Sequence, residues 1–152
     1  MKLNYPEAVV RYGAIVNNQW KNEPQWMMIY KTPMWFSQQV INSATGNPCD
    51  RIYLNKDLAP ILTKALQLVH ERNLCSELKT FDGCYNIRDI RGKGGTLSAH
   101  SYGIAIDLNA KENGLGKEPK FSKELLDCFK EAGFTLGADF QRKDGMHFSL
   151  GW

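Results

Sequence analysis

The sequence predicts an α+β fold in one domain. Two segments, near residues 57–70 and 122–132, space their apolar residues as a helix does, and two others, near residues 103–108 and 146–150, alternate apolar and polar residues as a strand does. The length of 152 residues suits a single domain, and 43% hydrophobic against 23% charged residues is a balance typical of folded domains. We therefore expect one domain, residues 1–152, with one core and one site.

Two helices are expected from capping residues and apolar spacing. The first begins near Asp57 as N-cap and tolerates Pro60 in its first turn. The second begins at Ser122 as N-cap and ends near Gly133. The apolar stripe of the first helix is expected in the core, and it consists of Leu58, Ile61, Leu62, Ala65, Leu66 and Val69.

Two strands are expected to carry polar side chains on a common face. In one, Ile104, Ile106 and Leu108 alternate with Gly103, Ala105 and Asp107; in the other, Met146, Phe148 and Leu150 alternate with His147 and Ser149. Residues 26–30 are a further strand candidate, with helix as the alternative, and residues 92–95 and 113–119 are expected to be loops.

Composition excludes several classes of function. The net charge is +3, and the 19 basic residues are scattered, so nucleic-acid binding is not indicated. Residues 1–11 lack the apolar stretch of a secretory signal, and no window is long enough to span a membrane, so synthesis in the cytoplasm is expected. A monomer is a separate expectation. The four cysteines form no C-x-x-C pair, which favours free thiols; a Cys75–Cys84 disulfide is the alternative in an oxidising compartment.

Two of the three histidines stand close in sequence to aspartates. His100 precedes the strand that carries Asp107, and His147 lies on the other strand, so these three side chains could hold one zinc ion and leave a position for water. Asp144 stands three residues before His147, at a bend favoured by Gly145, and is the candidate general base.

Residues 98–107, Ser-Ala-His-Ser-Tyr-Gly-Ile-Ala-Ile-Asp, resemble the S-x-H-x-x-G-x-A-x-D signature of the zinc D-alanyl-D-alanine carboxypeptidase and L-alanyl-D-glutamate endopeptidase family. Residues 144–148, Asp-Gly-Met-His-Phe, are similar to its closing motif, and the resemblance covers roughly residues 80–152. This group includes lysostaphin, D-Ala-D-Ala peptidases and hedgehog domains. The resemblance implies a small antiparallel sheet, flanked by helices, that carries one zinc ion.

The resemblance also implies roles for individual residues. It makes His100, Asp107 and His147 the zinc ligands and Asp144 the base, where some relatives have glutamate. By the same resemblance, Arg88 lies near the substrate, with neighbouring Arg91 as the alternative for that role. Ser98 either contacts the substrate or caps local backbone. The family's acidic residue after His-Phe is replaced here by Ser149, which implies altered hydrogen bonding around the ligands.

The substrate class that the resemblance implies is the stem peptide of bacterial peptidoglycan. The leading hypothesis is an L-alanyl-D-glutamate endopeptidase that acts as a phage endolysin, made in the host cytoplasm and acting at the cell wall. The alternatives are a D-alanyl-D-alanine carboxypeptidase and a non-catalytic wall-binding protein that keeps the zinc fold. The aromatic residues of the N-terminal third are expected in the core, with a substrate groove as the alternative: Trp20, Trp26 and Trp35.

Overall fold

The computed structural model describes residues 1–152 and confirms the α+β fold. The five α-helices are α1 (Tyr5–Tyr12), α2 (Glu23–Trp26), α3 (Met34–Gln39), α4 (Leu58–Glu71) and α5 (Lys123–Ala132). The nine strands are β1 (Met27–Lys31), β2 (Ile41–Asn42), β3 (Arg51–Asn55), β4 (Thr80–Gly83), β5 (Asp89–Ile90), β6 (Lys93–Leu97), β7 (Ala105–Leu108), β8 (Thr135–Leu136) and β9 (His147–Ser149). None of the helices is both long enough and apolar enough to span a bilayer.

The central sheet has five strands in the order β2-β4-β7-β9-β8. All of its neighbouring pairs are antiparallel except β2 and β4, which run parallel, so the expectation of an antiparallel sheet needs this one correction. The two predicted strands are confirmed as β7 and β9, and they are neighbours in the sheet. Two smaller antiparallel sheets pair β1 with β3 and β5 with β6.

Helix α5 is capped at both ends as the sequence predicts. Ser122 Oγ accepts a hydrogen bond from the backbone N–H of Leu125 at 3.1 Å, and Gly133 ends the helix in the left-handed conformation. Helix α4 begins where predicted, but Asp57 does not cap it with its side chain. That carboxylate instead accepts hydrogen bonds from Arg11 and Tyr12 of α1, so it joins two helices that are far apart in sequence.

One hydrophobic core of 34 buried residues extends from Ala8 to Leu150, so the N-terminal third packs into the same core as the sheet. Within it the rings of Phe129 on α5 and Phe148 on β9 lie 4.4 Å apart, which holds α5 against the sheet. All four cysteines are free, as the sequence favoured.

The N-terminal aromatic residues pack inside the domain. Trp20 is buried and donates its indole N–H to the carbonyl of Tyr12, while Trp26 and Trp35 pack partly buried against the core. The Tyr12 ring in turn lies 5.5 Å from the ring of Tyr102, two residues after His100. Helix α1 therefore supports the segment that carries His100.

The loop expected at residues 92–95 was wrong. Residues 93–95 begin strand β6 instead of forming a free loop, and Gly92 makes the hairpin turn after β5. The strand candidate at residues 26–30 is confirmed as β1, which begins at Met27, while Trp26 ends α2. His100 lies in a short 3-10 helix, Ala99–Tyr102, because Ser98 caps it and Gly103 ends it.

Replacing Asp57 with asparagine is expected to lower the free energy of unfolding by about 1–2 kcal/mol at pH 7, because charged hydrogen bonds to Arg11 and Tyr12 are lost. Burial alone would raise the pKa of Asp57, but these hydrogen bonds lower it below the ordinary value of 3.8. The stabilisation is therefore full above pH 3.8 and disappears as the pH falls through the lowered pKa. Urea unfolding of wild type and variant at pH 7 and pH 3 measures this.

The matched control for this prediction is Asp50→Asn, since Asp50 is an exposed aspartate paired only with its neighbour Arg51. It should change stability little. Equal losses in the two variants would show that the link between α1 and α4 contributes nothing.

Candidate active site

Three elements bring His100, Asp107 and His147 together. Ser98 Oγ accepts a hydrogen bond from the His100 backbone N–H at 3.4 Å, which starts the 3-10 helix. Gly103 ends that helix at a φ of 64°, and a side chain there would collide with Met27, so the reversal into β7 requires glycine. In the antiparallel register of β7 and β9, Asp107 lies directly opposite His147.

The ligating atoms of these residues form a tight group. His100 Nε2 lies 3.2 Å from Asp107 Oδ1 and 3.2 Å from His147 Nδ1, and His147 Nδ1 lies 3.4 Å from the same Asp107 oxygen. The three side chains are 4%, 17% and 7% exposed for His100, Asp107 and His147. Such a buried group of two imidazoles and a carboxylate could hold a metal ion.

Hydrogen bonding shows which atoms are free to bind. His100 Nδ1 lies 2.7 Å from the carbonyl oxygen of Cys84, which can only accept, so Nδ1 carries the proton of the neutral ring and Nε2 presents its lone pair. Asp107 Oδ1 is buried without a hydrogen-bond partner. Burial alone would raise the pKa of Asp107, but when the two imidazoles beside it are protonated, their hydrogen bonds and charge outweigh burial and lower it.

A buried carboxylate oxygen without a donor is unfavourable unless a cation or a proton donor compensates it. Here the neighbouring His100 Nε2 offers a lone pair and His147 Nδ1 faces the same point. The residues therefore fit a divalent metal ion, and two imidazoles with one carboxylate form a donor set that zinc accepts.

Asp144 lies in the turn that leads into β9. Its backbone N–H donates to the carbonyl of Gly137 at 2.9 Å, and its own carbonyl accepts from the His147 N–H at 3.0 Å. A Cβ at Gly137 would overlap the Asp144 carbonyl and lie 2.9 Å from His147 Cβ, so only glycine allows this close approach. Gly137 is thus a positioning residue that the sequence analysis missed.

The Asp144 carboxylate has the environment of a general base. Its Oδ1 is buried without a hydrogen-bond partner. Burial raises the pKa of Asp144 and the charge of Asp107 adds to this, whereas His147, His100 and Arg91 act in the opposite direction. A carboxylate with a raised pKa accepts and returns protons closer to neutral pH than an exposed one does.

A cavity of about 420 Å³ opens in front of these residues. Six of the seven residues singled out in the sequence line it, and the seventh, His100, is buried. The remaining lining divides into an apolar part and a cationic part. The apolar part consists of Ile90, Leu115, Phe140, Met146 and Trp152, and the cationic part adds Lys93 and Arg142 to Arg88 and Arg91.

Arg88 and Ser98 differ in how the surrounding structure uses them. Arg88 donates its backbone N–H to Ser101 Oγ at 3.0 Å, while its guanidinium contacts only the carbonyl of Asp89 and has no acidic partner. It therefore remains free to meet a substrate carboxylate. Ser98 lines the cavity and also caps the 3-10 helix, so both roles considered for it are compatible with its position.

Trp152 forms part of the cavity wall, a position that no pattern in the sequence indicated. Trp152 donates its indole N–H to the carbonyl of Leu97 at 2.7 Å and packs edge-on against Tyr5. Ser149, which replaces the acidic residue of the family pattern, bonds to the carbonyl of Gly151 instead of to a ligand. None of the three tryptophans considered for a groove, Trp20, Trp26 and Trp35, lines this cavity.

Fold and site together define an α+β protein with a buried His-Asp-His group at the base of a cavity, an arrangement suited to metal-dependent hydrolysis. Residues 91–150 match the model of a family described as D-alanyl-D-alanine carboxypeptidase. The matched segment contains His100, Asp107, Asp144 and His147, so the chain is similar to this family over the residues of the candidate site. No curated protein matches the chain.

Proposed function

We propose that this protein is a zinc metallopeptidase that hydrolyses the stem peptides of bacterial peptidoglycan. The observation that carries the proposal is the convergence of His100 Nε2, Asp107 Oδ1 and His147 Nδ1 without a hydrogen bond to satisfy the carboxylate oxygen. These three residues would hold one zinc ion. When bound, zinc polarises a carbonyl and activates water, which is the chemistry that amide hydrolysis requires.

The chain's own residues then perform the remaining steps. Asp144 takes a proton from the attacking water at its carboxylate and returns it to the amine that leaves. Arg88 pairs with a substrate carboxylate or stabilises the developing oxyanion, with Arg91 as the alternative, and Ser98 contributes a hydrogen bond at the cavity wall. The Cys84 carbonyl holds the His100 ring in its ligating orientation.

We favour cleavage between L-Ala and D-Glu. The cavity is lined by Asp107, by residues of the β5–β6 hairpin and by Trp152. In the cell, this activity would be that of a phage endolysin made in the host cytoplasm, acting as a monomer on the cell wall. D-alanyl-D-alanine carboxypeptidase activity is the second candidate, favoured by the description of the matching family.

A third hypothesis is a non-catalytic wall-binding protein that keeps the metal site. A protein that only binds the wall does not need a carboxylate in the position of Asp144. Its Oδ1 is buried without a hydrogen-bond partner, which is unfavourable for stability. The presence of that group favours catalysis.

The test is mass spectrometry of purified peptidoglycan after incubation with the zinc-loaded protein. We expect stem peptides released from the L-Ala that stays on the glycan. Loss of only the terminal D-Ala would support the carboxypeptidase instead. Muropeptide masses that are all unchanged after incubation would overturn the proposal of a peptidoglycan peptidase.

A further inference from the structure

Two cationic side chains of the cavity, Lys93 and Arg142, have no part in the proposed hydrolysis. Arg91 and Lys93 flank the hairpin turn at Gly92, and a methyl group placed on Gly92 would lie 3.6 Å from Arg142 Nη1. The Arg142 guanidinium therefore reaches from the loop before β9 across to the hairpin. Together with Arg88, four cations line one cavity, where the only acids are Asp107 and Asp144.

None of these four cations has an acidic partner within 4.0 Å. The acids nearby in sequence are engaged elsewhere. Asp89 accepts a hydrogen bond from the backbone of Gly95, and Asp139 pairs with Lys130. Lys93 and Arg142 are exposed at the mouth, and bringing like charges together there is unfavourable until an anion lies between them.

The four cations divide by position. Arg91 is close enough to the reacting centre for its charge to act on Asp144, and Arg88 is anchored to Ser101 beside the His100 segment. Arg142 belongs to the loop before β9 and Lys93 begins β6, and both line the cavity with exposed side chains. They are therefore available to bind an anionic group other than the one at Arg88.

We propose that Arg142 and Lys93 form a second carboxylate subsite, so that the enzyme selects peptides with two free carboxylates, one near the scissile bond and one at the cavity mouth. The guanidinium of Arg142 can bind a carboxylate through two parallel hydrogen bonds, and Lys93 adds a mobile charge. This inference rests on the proposed peptidase function, since it assumes that a stem peptide occupies the cavity.

The experiment compares L-Ala-γ-D-Glu-L-Lys-D-Ala-D-Ala with its two mono-amides, one at the D-Glu α-carboxyl and one at the C-terminus. Binding is measured by calorimetry at low salt with zinc-loaded protein in the Asp144→Asn background, so that hydrolysis does not interfere. Amidation of the carboxylate that lies at the cavity mouth is expected to weaken binding by about tenfold. Arg142→Gln is expected to reduce the ratio of acid affinity to amide affinity for that mono-amide to about one. The same ratio for the other mono-amide should keep its wild-type value.

Arg51→Gln is the matched control, because Arg51 is exposed on β3 and does not line the cavity. It should leave both ratios unchanged. The proposed subsite is excluded if neither amidation weakens binding. It is also excluded if Arg142→Gln leaves both acid-to-amide ratios unchanged or lowers both of them together. Peptides that bind with the expected ratios but are not cut by the wild-type enzyme would overturn the proposed function alone; absence of binding by all three would overturn both.

Discussion

Replacing His100 with alanine is expected to remove the metal ion and, with it, hydrolysis. The imidazole supplies one of three converging donor atoms and is held in its ligating tautomer by the Cys84 carbonyl. Loss of an outer hydrogen bond at such sites commonly lowers metal affinity about 10–100-fold, so loss of a direct ligand should lower it at least about 100-fold. Metal content after dialysis and a competition titration with a chelator measure the change.

The control for this variant is His70→Ala. His70 lies on the exposed side of α4, stacked on Trp35, and does not line the cavity. This variant should keep one zinc ion per chain and full activity. A His100→Ala protein that binds zinc as tightly as wild type would exclude His100 from the ligand set.

Replacing Asp144 with asparagine should separate chemistry from metal binding. Asparagine keeps the size of the side chain but cannot take a proton from water, and general-base catalysis is commonly worth about 10²–10⁴-fold in rate. We expect kcat to fall by that factor while zinc content stays at the wild-type level, because Asp144 is not one of the grouped ligand residues. Peptide release measured by mass spectrometry, with metal analysis of the same samples, tests both parts.

Two further variants make the Asp144 prediction specific. Asp139→Asn alters an exposed aspartate of the same loop that pairs with Lys130, and it should leave kcat within about twofold of wild type. Asp144→Glu should keep measurable activity, since the longer side chain retains the carboxylate. An Asp144→Asn enzyme with wild-type kcat would show that another group is the base.

The ligand candidates could be found from the sequence because each lies inside a short pattern with its own local signal. The alternation of apolar and polar residues over Ile104 to Leu108 and over Met146 to Leu150 places Asp107 and His147 on strands. The structure confirms both strands as β7 and β9. Helix α5 was likewise predictable at both ends, because Ser122 and Gly133 act through hydrogen bonds within a few residues. Local chemistry was sufficient for these elements.

Other features were decided only by packing between distant segments. Asp57 looks like a helix cap in sequence, yet Arg11 and Tyr12, more than forty residues earlier, draw its carboxylate away. Similarly, Gly137 has no local pattern that marks it, because its function is to leave space for Asp144 and His147.

The sequence by itself determined the fold class and the two strands at the site, and it predicted four candidate residues for metal binding and proton transfer. Tertiary structure alone decided that the Cys84 carbonyl fixes the His100 ring, that Trp152 lines the cavity and that Arg142 reaches the hairpin at Gly92. The reason is physical: periodicity and capping depend on neighbours in the chain, whereas these contacts depend on how separate loops are brought together by one core.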